Sequence, residues 1–211
     1  MTNMSDTQNS SSHGKLVVAV VAAALVIVLA LVSAFIWPGW ALNKDSASQQ
    51  TAQGTSQGAS KTTESSKPTI NATPLPDDAS ELLKAMPDSV LNFARTKASA
   101  SASWSAASPV EEYTLTYSTG KSDQDVTLVV AQWSEKDDAK DQYDSLTGDM
   151  SGKELGSGNV KVSGTATGAY TVKTDSDDEN KAIAVWQNDT VVFQATGAKE
   201  SVQRFYQQFP L

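Results

Sequence analysis

The sequence predicts an α+β domain, a mainly antiparallel sheet with packed helices, preceded by one transmembrane helix and a disordered stalk. Three observations lead there. An uncharged apolar run of membrane-spanning length lies near the N-terminus, a long Ser/Thr/Gln-rich tract follows it, and the remainder alternates in hairpin-like pairs followed by amphipathic helical stretches.

Residues 1–15, MTNMSDTQNSSSHGK, are too few and too polar to bury a core and read as a short cytoplasmic tail. Residues 16–37, LVVAVVAAALVIVLALVSAFIW, carry no charge. At about 1.5 Å per residue such a helix spans about 33 Å, enough for a hydrocarbon core of about 30 Å. Trp37 and Trp40 suit an interfacial aromatic belt, and Pro38 with Gly39 stops the helix. This run is longer than the apolar region of a secretory signal and has only Lys15 ahead of it, which favours an uncleaved anchor. The alternative is cleavage after small residues such as Ser33 and Ala34, giving a secreted form. The expected location is the cell membrane, single-pass, with the C-terminal domain extracytoplasmic.

Residues 38–76 form the expected stalk. Between Asn43 and Thr69 there is no Val, Ile, Leu or aromatic residue, so this tract cannot bury enough surface to fold. Pro68, Pro74 and Pro76 stiffen its junction with a domain expected over residues 77–211.

Within that domain, Asp78 is a candidate N-cap with Glu81 three residues on, predicting a short helix halted before Pro87. A strand is expected over residues 90–96, then a small-residue loop, SASASWSAAS at 99–108, whose Trp104 either plugs back into the core or stands exposed for a ligand. Residues 112–117, EYTLTY, alternate strictly and form a hairpin with VTLVVAQW at 126–133. Ser134 and Asp137 open a helix with an apolar stripe of Ala139, Tyr143 and Leu146, closed by the Gly-rich GKELGSGN. Strands follow at 160–162, 169–173, 182–187 and 191–196, the last two expected to turn at Asn188 and Asp189 with Trp186 opposite Val191. A closing helix carries Val202, Phe205, Tyr206 and Phe209 on one side. Because Ala139, Tyr143 and Leu146 share the spacing of Val202, Tyr206 and Phe209, an internal duplication is open.

Three segments, MPDSVLNFARTKASASASWSAASPVEEYTLTYSTG, WQNDTVVFQATG and RFYQQFP, resemble the extracytoplasmic domain of uncharacterised single-span membrane proteins of actinobacteria. The resemblance covers roughly residues 82–211 and rests on a Pro-Asp-Ser turn, the Trp-containing loop, the Tyr-rich strand and a Trp hairpin. It implies an extracytoplasmic α+β domain and no named activity, so it assigns no residue a role.

Composition narrows function. The 211-residue chain has no cysteine, which excludes disulfides, thiolate metal sites and an acylated lipoprotein anchor. Its net charge is −8, and all but one of the acids lie beyond Trp37, which disfavours nucleic acid as a partner. The only histidine, His13, precedes the apolar run, so the domain has no imidazole for a catalytic triad or a metal. The acidic stretch TDSDDEN at 174–180 sets Asp175, Asp177 and Glu179 at the first, third and fifth positions of a calcium loop. Asn180 and Trp186 then stand where that loop needs Gly and Glu, so it reads as a hairpin tip. Glu111 and Glu112, adjacent in a strand, point to opposite faces and make no catalytic pair.

No catalytic, cofactor or metal residue is therefore expected. The expected partners are membrane lipid through residues 16–37 and an envelope protein or cell-wall component. The expected function is a non-enzymatic binding or interaction module of the cell envelope, the alternative being an envelope enzyme or small-ligand carrier using only Ser, Lys, Asp or Glu. Because residues 182–187 and 191–196 are apolar on both faces, Val185 and Val192, with Trp104, are the candidate partner surface.

Overall fold

The computed structural model describes residues 66–210. The 1–15 tail, the 16–37 apolar run and the stalk as far as residue 65 lie outside the described residues. Among the described residues no helix is long and apolar enough to cross a membrane.

The elements in chain order are α1 (Glu81–Ala85), β1 (Ser89–Val90), β2 (Phe93–Ala100), β3 (Glu111–Ser118), β4 (Val126–Gln132), α2 (Lys136–Asp149), β5 (Glu154–Val162), β6 (Thr165–Thr174), β7 (Lys181–Asn188), β8 (Val191–Ala198) and α3 (Lys199–Gln208). All eight strands join one sheet in the order β1-β2-β3-β4-β8-β7-β6-β5, and every pairing is antiparallel. The α+β class is therefore as the sequence predicts.

That order is two four-stranded meanders meeting at β4 and β8, as a duplication would give. The helices break the symmetry. A two-fold axis normal to the sheet would put both on one face, yet α3 packs with Leu115, Leu128 and Phe193, whereas α2 packs with Ala131, Val185 and Val192 on the other.

The first face is the larger core. Alternation places Leu115 and Tyr117 of β3, Leu128 and Val130 of β4, Phe193 and Ala195 of β8, and Ala184 and Trp186 of β7 on it, all at most 4% exposed. Val202, Phe205 and Phe209 of the α3 segment close it, with Phe209 against Trp186 (ring centroids 5.4 Å) and Phe193 (5.7 Å). Each such side chain contributes about 1.5 to 3 kcal/mol by leaving water. Leu82, Leu83 and Met86 of the α1 segment cover the β1–β3 end of this face. The α1 N-cap is Ser80 rather than Asp78: its Oγ accepts from the N–H of Leu83 at 3.2 Å.

Three boundaries differ from expectation for physical reasons. Residues 89–100 are a tight hairpin, with Leu91 left-handed (φ 51°) at its turn, so the long strand there extends to Ala100. The Gly-rich stretch after α2 is β5 itself, and the ring of Tyr170 lies where a Cβ on Gly158 would meet it at 2.9 Å. The last hairpin turns at Asp189 and Thr190, not Asn188 and Asp189. Asp189 takes the left-handed conformation (φ 54°), and Trp186 pairs with Phe193. Moving the turn by one residue shifts the pairing by two, so every side chain keeps its expected face.

Residues 69–76, expected in the stalk, form a strap on the domain. Thr73 donates its N–H to Arg95 O (2.7 Å) and its Oγ1 to Thr96 O (3.0 Å), and Leu75 packs on the larger core. Arg95, 1% exposed, anchors the strap from below: its guanidinium donates to Met86 O (2.9 Å), Pro87 O (3.0 Å) and Thr73 O (3.4 Å) and pairs with Asp88 (2.6 Å). Tyr117 donates to Pro87 O at 2.9 Å, and its burial pushes the phenol pKa well up, against the opposing pull of Arg95.

Candidate interaction surface

None of the three sequence candidates forms an open surface. Val185 and Val192 are both 0% exposed and Trp104 is 8% exposed, all in the second core under α2 and the 101–110 loop. The expectation of a patch beside Val185 and Val192 is thus corrected: the chain's own helix, with Ala139 and Tyr143, supplies the cover. That helix is pinned along its length, where Gln187 donates to Lys136 O (3.2 Å), Tyr143 meets Thr171 (2.8 Å) and Lys173 donates to Met150 O (2.6 Å).

Trp104 plugs inward. Its ring stacks on Trp133 (centroids 6.3 Å, 25° between planes), whose indole N–H donates to Ala107 O at 2.8 Å. The loop is held from beneath by Glu112, which sequence alone reads as solvated. Glu112 is 6% exposed, and its two carboxylate oxygens accept from the N–H groups of Ser103 (2.7 Å) and Trp104 (2.9 Å). Glu111 lies on the opposite face, as alternation requires, and accepts from the Tyr113 hydroxyl at 3.1 Å.

The acidic hairpin tip follows the same logic. Asp175 accepts from the N–H groups of Asp177 (2.8 Å) and Asp178 (3.2 Å), and Asp178 accepts from the N–H of Asn180 (3.0 Å). These carboxylates fold the turn on themselves, as Asx turns do. Among the described residues no group of three acidic or histidine side chains is arranged to hold a metal.

What stays open is the β2–β4 half of the α2 face and the outer edge of β2. Register sets Ser99, Thr114 and Val129 in one row across β2, β3 and β4, and Lys97, Thr116 and Thr127 in the next. Val129 is half-buried against the second core, whereas the other five are half-buried or exposed and, among the described residues, are not part of that core. The sequence signal was the strict alternation of EYTLTY, which is how a strand with one wet face reads. At the loop end of the sheet Val110 is a further exposed apolar residue, 62% accessible.

Sequence reasoning also missed Asn188. Placed by its pairing with Val191 on the larger-core face, it is 1% exposed, and among the described residues neither its amide oxygen nor its nitrogen has a hydrogen-bond partner. It was expected in a turn, where an amide is wetted.

No protein-family model matches the chain, and no curated protein matches it. Among solved structures, a crystal structure of a GTP binding regulator from Thermotoga maritima is similar at 15% identity, over 56% of this chain and 78% of that one, with a TM-score of 0.36. A likeness at that score carries no argument.

Proposed function

We propose that the chain is a membrane-anchored, extracytoplasmic binding or interaction module of the cell envelope, without enzymatic activity. The anchor is residues 16–37, and the described domain is what it displays. The observation that carries this reading is the polarity of the domain. The strap enters at the β3–β4 turn, where Thr69 reaches Thr119 O (3.5 Å) and Ile70 lies over Gly120 (φ +92°). The 101–110 loop and the Asp189 turn lie at the other end of the strands. A domain held at one end presents its other end, its wet β2–β4 face and its β2 edge outward.

The chemistry supports binding over catalysis. The carboxylates of Glu112, Asp175 and Asp178 are spent on backbone N–H groups of their own loops, not gathered in a cleft. A net charge of −8 makes nucleic acid an unfavourable partner. The test is a crosslinking pull-down from intact membranes with and without residues 78–211. The account expects partner recovery to vanish with the domain, and equal recovery removes it.

A further inference from the structure

We propose that the outer edge of β2, from Lys97 to Ser101, is a strand-addition site for an extended peptide segment of a partner protein with an acidic side chain beside Lys97. The proposal rests on the envelope-module reading and names the class of partner.

The alternation of main-chain groups fixes which way they point. Ser101 donates its N–H to Glu112 O at 3.0 Å, so Ser101, and two residues back Ser99, direct their backbone toward β3. The N–H and C=O groups of Ala98 and Ala100 therefore point away from the sheet. β1 pairs only with Phe93 and Ala94, so it leaves this stretch uncovered.

This chain already uses the neighbouring stretch of the same edge to receive an extended segment. The strap lies there, with the N–H of Thr73 on Arg95 O (2.7 Å) and its Oγ1 on Thr96 O (3.0 Å). Past Thr73 the chain leaves the edge, since Leu75 turns into the core and Ser80 reaches the Tyr113 hydroxyl (3.1 Å). What remains is a short edge, vacant among the described residues and continuous with an occupied one.

Its side chains suit a second strand. Ala98, Ser99, Ala100 and Ser101 are small, and Ser99 and Ala100 are exposed, so nothing bulky bars approach. Lys97 is the one charge on this stretch and is exposed. An edge lysine resists indiscriminate pairing and so selects a strand that brings a compensating acid. In this mode main-chain hydrogen bonds supply affinity and the flanking side chains supply selectivity.

The opposite edge is less suited. β5 departs from regular pairing between Glu154 and Gly156 and again between Val160 and Lys161, irregularities that turn an edge away from a straight partner.

The experiment uses the full chain in detergent micelles and the blocked peptide acetyl-Thr-Val-Thr-Glu-Thr-Val-Thr-amide as probe. Binding is expected to slow amide exchange at Ala98 and Ala100 by at least about tenfold. The A98P/A100P pair removes only outward N–H groups, which an edge strand tolerates, and is expected to abolish binding while tryptophan emission stays unchanged. K97E is expected to weaken the Glu peptide severalfold and to favour the same peptide with Lys in place of Glu, a reversal that needs no proline. No slowing at saturating peptide, or equal binding by wild type and both variants, overturns the proposal. Protection that rises with protein concentration and without peptide assigns the edge to a second copy and also overturns it. Failure here with the domain still exposed on cells leaves the envelope reading standing, and loss of surface exposure with peptide binding intact does the reverse.

Discussion

The face that carries α2 is two surfaces. Over β7 and β8 it is Val185, Val192 and Ile183 beneath a pinned helix, whereas over β2 to β4 it is Ser99, Thr114, Thr116 and Thr127, with no helix above among the described residues. The larger-core face, by contrast, is apolar across both halves. The difference teaches that a run apolar on both sides announces a cover without saying what it is. Here the cover is supplied in cis, so the half of this face that stays exposed is the polar one.

Mutations can break or sharpen that contrast. Trp186→Ala, on the fully covered face, is expected to cost about 3 to 5 kcal/mol in a urea melt through the cavity it leaves. Val192→Ser, under α2, is expected to cost about 2 kcal/mol by burying a hydroxyl in an apolar site. If Val192→Ser melts like wild type, α2 does not cover it. Glu112→Ala leaves two loop N–H groups without their acceptor and is expected to cost about 1 to 3 kcal/mol, with increased quenching of Trp104 by acrylamide. Asn188→Leu removes an amide buried without partners and is expected to raise stability by about 1 kcal/mol. A loss of stability there would mean that the amide has a partner in solution. Thr116→Val, on the wet half, is expected to change stability by less than about 0.5 kcal/mol, the smallest effect of the set.

Much of this contrast is written in the sequence. The alternation of residues 112–117 marks one wet face, and the doubly apolar residues 182–187 mark two dry ones. What covers the second dry face is not legible, because it depends on α2 reaching over strands more than thirty residues downstream of its start. The sequence leaves the last turn uncertain by one residue because Asn188 and Asp189 both tolerate the left-handed conformation, and nothing local chooses between them. Glu112 looked solvated because a strand acid usually is. Its role depends on the Ser103 and Trp104 N–H groups meeting it across a loop, which no periodicity encodes. The strap is not legible in the sequence because its hold comes from Arg95, some twenty residues on, and nothing in FARTK at 93–97 marks that guanidinium as buried.

The central claim, a folded module displayed outside the membrane by the N-terminal apolar run, is tested most directly by protease added to intact cells that carry the chain tagged at both ends. The account predicts cleavage in the Ser/Thr/Gln-rich tract before residue 66, release of a compact C-terminal fragment that keeps its tag, and retention of the N-terminal tag in the membrane. A C-terminal domain untouched until the cells are lysed, or a chain released whole into the medium without protease, would contradict it.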